Sequence, residues 1–262
     1  MDMVDFVLAR KSRNIASSMV HVLLNLSLGV GAILITVLSG SPLLGLMLVL
    51  TSKWRMFAVR WRYFFLNFKS NLVDLIVGIS VVLLAYYSGP SILIVDFILA
   101  GIYCVWLLFI KPLSSENAVL LQSLIAVFLG VSATVIISVS LNAVIIVFLA
   151  FLVGYSTSRH ILIQSNDSDY TLTTLVAGLI FAEVAWLGHF WIIIYTFGET
   201  GIKIPQLAII LTIFAFVYNY ARQMILKYDR SFKLNNIAKP LIFGIILISI
   251  IVLWFSNPIF NV

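Results

Sequence analysis

The sequence predicts an all-α integral membrane protein: a bundle of about nine transmembrane helices with one amphipathic helix at the cytoplasmic interface. Three observations lead there. The 262-residue chain is 62% hydrophobic and 10% charged, with a mean hydropathy of +1.14, whereas a soluble domain carries about 25% charged residues. The apolar residues form runs that approach the roughly 20 residues needed to cross a bilayer. Fifteen of the sixteen lysines and arginines can be placed on one side of such a bundle.

The same composition limits the domain organisation and the classes of partner. Residues 1–262 are predicted to form a single polytopic domain, because no loop between apolar runs exceeds about 20 residues. The net charge of +6 reflects basic loops beside an anionic leaflet, so the partners expected are the bilayer and anionic lipids rather than nucleic acid. Cys104 is the only cysteine, which excludes an intrachain disulfide and a thiolate metal cluster.

Turn residues divide the apolar sequence into nine predicted spans, as at Gly89-Pro90 and Pro112. The second span, about 10 residues long, is too short to cross alone, so it either recruits Lys53 by snorkelling or is re-entrant. The first is expected to be an uncleaved span, because it is longer than the apolar region of a signal peptide. The nine are Met19–Leu38, Pro42–Thr51, Asn71–Ser88, Ile92–Ile110, Ala118–Val139, Ala143–Thr157, Leu172–Phe197, Ile204–Ala221 and Ile237–Phe255.

The basic loops predict the orientation, because short loops rich in lysine and arginine stay in the cytoplasm. With nine spans and a cytoplasmic N-terminus, only Lys203 lies on the other side. If the second span does not cross, Arg10, Lys11 and Arg13 move outside, and the split falls from 15:1 to 12:4. The sequence therefore favours nine spans with an extracytoplasmic C-terminus.

Residues 53–69 read KWRMFAVRWRYFFLNFK and are predicted to form one helix lying flat in the interface. At 100° per residue the aromatic side chains fall within an arc of about 100°, with cations on either side. Such a helix buries its aromatic face in lipid and turns its cations towards phosphates, although a plain topology anchor has the same pattern. The expected lipid-binding residues are Lys53, Trp54, Arg55, Arg60, Trp61, Arg62 and Lys69.

Four ionisable side chains lie inside predicted spans, where a charge at the bilayer centre costs roughly 2.5–3.5 kcal/mol; they are Asp74, Asp96, Glu183 and His189. Asp74 is expected to pair with Lys69 or Arg62 near the start of its helix. Asp96 has no basic neighbour in sequence and must find a partner on another helix, reach water or be protonated.

Glu183 is the strongest functional candidate of the four, because it lies near the middle of the seventh predicted span. It shares a helix face with Trp186 and Phe190, whereas His189 is turned about 120° away. The carboxyl group donates a hydrogen bond across helices, serves as a proton or cation site, or takes part in catalysis. With Asp96 it could form an outward-facing acidic site.

Evidence for chemistry is sparse. Asp167 and Asp169 form a DxD that could hold a divalent cation, although Asp169 or Thr171 could simply cap the seventh helix. The histidines, His21, His160 and His189, have no zinc-ligand spacing. Nucleophile-elbow and phosphate-loop motifs are absent from the sequence. We therefore expect no catalytic residue, metal site or cofactor, and an enzyme is the less favoured class.

The stretch Phe181–Trp254 contains Glu183, Trp186, Phe190 and Trp191, then Tyr218, Tyr220 and the final apolar span. Over this last third the chain resembles a group of uncharacterised multi-pass inner-membrane proteins from small-genome candidate-phylum bacteria. The resemblance implies a bacterial inner-membrane setting and adds interest to Glu183. It implies no activity.

Three functions are compatible with these features. The leading expectation is a non-catalytic membrane subunit or scaffold that binds anionic lipid and partner proteins through its cytoplasmic basic surface. The alternative is a small proton- or cation-coupled transporter that uses Glu183 and Asp96. The third is a metal-dependent membrane enzyme at Asp167 and Asp169.

Overall fold

A computed structural model of the chain describes residues 3–88, 93–138, 142–164, 169–197, 202–227 and 234–255. It is mostly helical, with one β-hairpin. The helices are α1 (Met3–Ser39), α2 (Pro42–Ser52), α3 (Trp54–Phe57), α4 (Trp61–Ser70), α5 (Leu72–Ser88), α6 (Leu93–Val105), a π-helical segment (Trp106–Ile110), α7 (Glu116–Ser138), α8 (Ala143–Gln164), α9 (Tyr170–His189), α10 (Gln206–Lys227) and α11 (Leu234–Trp254). Strands β1 (Ile194–Phe197) and β2 (Ile202–Pro205) pair antiparallel, with Ile194 opposite Pro205.

Among the described residues, five helices are long and apolar enough to cross a membrane. They are residues Ser18–Ser39 of α1, the whole of α7, α8 and α9, and residues Gln206–Ile225 of α10. A sixth candidate joins α4 to α5 across a bend of 63°. The apolar helices Pro42–Ser52, Ile94–Ile110 and Ala238–Trp254 are shorter. Each of the nine segments expected from the sequence contains a helix. The predominantly helical fold is confirmed, and the five long apolar helices are consistent with a membrane protein.

Helix α7 is the centre of the bundle. Ala126 and Leu129 belong to an apolar cluster with α1, α2, α5 and α6, whereas Val127 and Val131 belong to a second cluster with α8, α9 and α10. Two faces of one helix therefore hold the two halves of the molecule together. Small residues such as Gly130, whose added Cβ would lie 2.9 Å from Ile76 and 3.0 Å from Val153, permit this close packing.

The N-terminal helices meet at equally close range. Gly40 has a φ of 59°, a left-handed conformation that glycine adopts without strain, and it reverses the chain between α1 and α2. A Cβ on Gly78 of α5 would lie 2.7 Å from Val49 of α2 and 2.9 Å from the hydroxyl of Tyr103. The three helices α2, α5 and α6 therefore converge at Gly78.

Several element boundaries differ from the sequence expectation, and three of the differences affect candidate functional residues. The seventh predicted span was expected to run to Phe197, but α9 ends at His189 and the β-branched run that follows leads into β1. Helix α8 continues to Gln164, so Arg159 and His160 lie in the helix and not in a loop. Residues 53–69 form two helices, α3 and α4, instead of one, because the turn at 58–60 interrupts them.

Candidate functional site

A buried cluster of charges surrounds Asp74 in the first turn of α5. Its carboxylate Oδ2 forms a hydrogen-bonded ion pair with Lys53 Nζ and lies 2.8 Å from Lys111 Nζ. Its Oδ1 accepts a 3.0 Å hydrogen bond from Trp106 Nε1. The side chains of Lys53 and Asp74 are only 9% and 10% exposed, whereas Lys111 is 42% exposed. We refer to these four residues as the Asp74 cluster. It combines a buried ion pair with one cation that remains accessible.

Local backbone structure brings the members of the cluster together. Lys53 directly follows the last residue of α2. Trp106 and Lys111 bracket the π-helical segment, in which Lys111 N–H donates to Trp106 C=O at 2.8 Å, five residues apart. In a regular α-helix, residues five apart point about 140° away from each other. The wider π turn allows both side chains to reach the same carboxylate, and such turns often occur at functional sites.

This arrangement corrects the expected partners of Asp74. Its partners are Lys53 and Lys111, and not Lys69 or Arg62. The 63° bend between α4 and α5 turns α4 away, so Lys69 is exposed although it is only five residues from Asp74. Lys53, which was expected to face lipid, is instead buried against Asp74.

A second polar network holds the turn that carries Lys111. Gln122 of α7 is buried, and its Nε2 donates to the carbonyls of Ile110 at 2.7 Å and Leu113 at 2.9 Å. Its Oε1 lies 2.8 Å from His160 Nε2 of α8. Gln164 Nε2 donates to Ser114 C=O at 3.1 Å. These contacts supply side-chain donors to carbonyls in the turn that follows the π-helical segment, where Ile110 C=O also accepts a 3.2 Å bond from Leu113 N–H. Gln122 was not among the residues expected to form a site, although a glutamine inside an apolar span is a recognisable signal.

Beside the Asp74 cluster lies an aromatic surface formed by α3 and α4. Trp61 stacks on Phe64 with ring centroids 5.6 Å apart, and Phe64 contacts Phe65 at 5.5 Å and Phe68 at 6.0 Å. Trp61 is 78% exposed and Phe65 is 61% exposed. Met56 of α3 is buried, and its carbonyl accepts a 3.3 Å hydrogen bond from Asn67 Nδ2, which ties α3 to α4. The rings therefore form one exposed apolar surface, and the contact between Met56 and Asn67 holds α3 and α4 together beneath it.

Cations accompany this aromatic surface. Arg60, Arg62 and Lys69 are exposed, as is Trp54. The Arg62 guanidinium lies 5.6 Å from the centroid of the Tyr63 ring, within the range of a cation–π contact. We call residues 54–70 the basic-aromatic segment. It offers exposed cations beside exposed rings.

Asp96 lies at the other end of α5 and α6 from the Asp74 cluster. It is buried, and its Oδ1 accepts a 3.1 Å hydrogen bond from Ser88 Oγ. Within the described residues, Asp96 Oδ2 and Ser132 Oγ have no hydrogen-bond partner. Ser88 and Ser132 line an otherwise largely apolar cavity of about 200 Å³, which Lys203 of β2 also lines.

Glu183 does not join Asp96. It lies on an exposed face of α9, beside the exposed side chains of Trp186 and Phe190. Those two rings are 5.4 Å apart in an edge-to-face arrangement. His189 is half-buried, and its Nδ1 has no partner among the described residues. The structure thus places one candidate carboxyl in the bundle interior and the other on its surface.

The remaining candidates contribute little to a site. Asp167 lies outside the described residues, and Asp169 occupies the N-cap position of α9. No group of three or more metal-ligating side chains occurs in the described part of the chain. No protein family, curated protein or solved structure matches the chain.

Proposed function

We propose that this chain is a non-catalytic, multi-pass subunit or scaffold of a bacterial inner membrane, which binds anionic lipid and partner proteins through its cytoplasmic basic surface. One observation carries the proposal. The basic-aromatic segment is exposed, whereas the Asp74 cluster directly beside it is buried and joins the ends of α2, α5 and the π-helical segment. The buried Asp74 cluster therefore anchors an exposed surface of aromatic rings and cations. This combination is typical of interfacial lipid binding.

The proposed topology has nine spans, a cytoplasmic N-terminus and an extracytoplasmic C-terminus. The contacts of the basic residues support it. Lys53 and Lys111 meet at Asp74, at one end of α5, whereas Lys203 Nζ donates to Tyr87 C=O near the opposite end at 3.3 Å. The one lysine that the basic-loop rule puts outside is thus separated from the others.

The Asp74 cluster supports a membrane role for the short helix α2. Its 11 residues rise only about 16 Å, roughly half of a 30 Å hydrocarbon core. A lysine at the end of such a helix would lie below the headgroups. Charged groups at that depth are tolerated when they pair with one another inside the bundle, and Lys53 does so with Asp74. In the proposed topology, ion pairing with Asp74 takes the place of snorkelling, which was one of the two alternatives for this span.

The orientation of α4 supports an interfacial role for the basic-aromatic segment. If α5 runs along the membrane normal, the 63° bend inclines α4 towards the membrane plane. The exposed rings of Trp61 and Phe65 would then enter the lipid interface, and Arg62 and Lys69 would reach phosphates. Each cation near an anionic surface contributes about 1 kcal/mol. The accessible ammonium of Lys111 would add to the same surface.

Coupled transport is the second candidate, and Asp96 is the observation in its favour. A buried carboxylate oxygen and a serine hydroxyl without partners are found where a cation or proton could bind. However, transport through an acidic pair needs Glu183 close to Asp96, and Glu183 is on the exposed face of α9. The scaffold function therefore has the stronger support.

Native mass spectrometry of the full chain in neutral detergent, titrated with phosphatidylglycerol or phosphatidylcholine, tests the proposal. Removing two surface cations in Arg60→Gln/Arg62→Gln should weaken phosphatidylglycerol binding by about 30-fold, since each contributes about 1 kcal/mol. Lys203→Gln, at the opposite end of the bundle, is the matched control and should leave the affinity unchanged. Equal binding of both lipids, or equal losses in both variants, would contradict the lipid-binding surface.

A further inference from the structure

Helix α9 presents two chemically different faces. The face towards α8 is made of small and apolar residues at helical spacing, and Phe181 fills the gap beside Gly154. The opposite face is exposed and mostly apolar, and its members are Val176, Leu179, Glu183, Trp186, Leu187 and Phe190. We call this exposed set the α9 stripe. It contains a single carboxylate among large apolar side chains.

The depth of Glu183 makes its exposure unusual. Helix α9 spans Tyr170–His189, so Glu183 lies about 5 Å along the axis from the helix midpoint. A crossing helix would hold it well inside a hydrocarbon core about 30 Å thick. Its carboxylate has no hydrogen bond or ion pair within the described residues. Ionisable groups at such depth normally face the bundle interior or pair with another group.

The chemistry of the missing partner follows from this position. The depth keeps lipid phosphates and their counter-ions away from Glu183. A second copy related by a twofold axis along the membrane normal would place the same carboxylate opposite, and like charges disfavour each other. A cationic or strongly donating side chain on another protein's helix complements the carboxylate. The exposed rings of Trp186 and Phe190, already in contact, would supply aromatic contact area around it.

We propose that the α9 stripe docks a transmembrane helix of a partner protein that presents an arginine or lysine to Glu183 within the membrane. This inference rests on the membrane placement of the proposed function and not on its lipid-binding surface. The partner is thereby defined as a transmembrane helix with a basic side chain at the membrane depth of Glu183. The cytoplasmic surface and the α9 stripe would then be two separate interaction sites.

A defined peptide probe tests the docking surface. The full chain, with a donor fluorophore at its N-terminus, is reconstituted in phosphatidylcholine vesicles with an acceptor-labelled transmembrane peptide of about 22 leucines and alanines. One peptide carries a single arginine at the depth of Glu183, and the control peptide carries a leucine at the same position. Energy transfer should reach half-maximum at an about tenfold lower concentration of the arginine peptide, a ratio that corresponds to about 1.4 kcal/mol. Glu183→Leu should abolish the difference.

A charge-relocation variant provides the matched control. In Glu183→Leu/Leu179→Glu the carboxylate moves one turn along the same stripe, towards the helix midpoint. This variant should prefer a peptide whose arginine is moved along the helix axis in the same direction by four residues, about 6 Å. Circular dichroism of each variant verifies that its helices are intact. A shifted preference supports recognition by depth and charge, and an unshifted one contradicts it.

The remaining outcomes are also decisive. If wild-type protein binds both peptides equally, the proposed partner chemistry is wrong. If donor- and acceptor-labelled copies of the chain transfer energy to each other, and Glu183→Leu abolishes this transfer, a second copy covers the stripe instead. A chain that fails to float with the vesicles overturns the membrane placement and the docking surface together. A chain that floats without discriminating between the peptides overturns the docking surface alone.

Discussion

Asp74 and Trp106 are joined by a 3.0 Å hydrogen bond between carboxylate Oδ1 and indole Nε1, across 32 residues of sequence. The bond orients the carboxylate so that its other oxygen, Oδ2, receives Lys53 and Lys111. An indole that donates to a buried carboxylate satisfies a lone pair that neither ammonium occupies. The start of α5 is thereby connected to the π-helical segment on one side and to α2 on the other.

Asp74→Asn should destabilise the protein by about 3–5 kcal/mol, because it leaves the buried ammonium of Lys53 without its counter-charge. Lys53→Met should cost less, since Asp74 then keeps both Lys111 and Trp106. The free energy of unfolding, measured by titrating the detergent-solubilised chain with sodium dodecyl sulfate, tests this order. Lys69→Met is the control, and as an exposed residue it should change stability by no more than about 0.5 kcal/mol. A larger loss for Lys53→Met than for Asp74→Asn would contradict the arrangement.

Trp106→Phe should remove the indole donor while retaining most of the aromatic volume. Hydrogen bonds to charged groups contribute about 1.5–3 kcal/mol, so a loss in that range is expected. The same unfolding titration applied to Trp61→Phe, at the exposed ring of α4, should show little change. If the two substitutions have equal effects, the hydrogen bond to Asp74 does not stabilise the fold.

Gln122→Leu should loosen the turn that carries Lys111, because the carbonyls of Ile110 and Leu113 lose the Gln122 amide as a donor and Ile110 C=O keeps the 3.2 Å bond from Leu113 N–H. Hydrogen exchange followed by mass spectrometry should show faster exchange in residues 110–115 and unchanged exchange in α9. Ser123→Ala, on the neighbouring residue of α7, is the control. Its hydroxyl donates to Thr157 C=O of α8, so its removal should leave the turn protected.

Asp74 illustrates what the sequence could and could not predict. An acid within an apolar run signals a buried, paired charge, and that inference agrees with the structure. Its partners could not be predicted from local spacing, because Lys53 and Lys111 are 21 and 37 residues away. They reach it through a chain reversal at Gly40 and an irregular π turn. Neither the bend after α4 nor that turn follows from hydrophobic periodicity.

Glu183 illustrates a different limit. Helical spacing correctly groups it with Trp186 and Phe190, but periodicity does not reveal which face of a helix packs inward. The opposite face of α9 contains Ala177, Gly178, Ala182 and Ala185, all of them buried. Small residues mark helix contacts in membranes. The small residues at 177, 178, 182 and 185 therefore mark the packed face, which is opposite the glutamate.

The topology predicts opposite labelling of two positions. In a Cys104→Ala background, Ser70→Cys lies at the end of the basic-aromatic segment and Thr196→Cys lies in β1, and both residues are exposed. A membrane-impermeant maleimide added to intact spheroplasts should label the cysteine at 196 and spare the one at 70. Lysis should make both reactive. Labelling at 70 in intact spheroplasts would reverse the orientation.

The central claim is that the basic-aromatic segment lies in the lipid interface with its rings towards the hydrocarbon. The most direct test attaches one environment-sensitive fluorophore in turn to cysteines replacing Trp61, Arg62, Phe65 and Lys69, again in the Cys104→Ala background and in vesicles containing phosphatidylglycerol. Brominated lipid should quench positions 61 and 65 more strongly, and an aqueous quencher should act more strongly at 62 and 69. If the aqueous quencher reaches all four positions equally, the segment does not lie in the interface and the proposed lipid-binding surface is wrong.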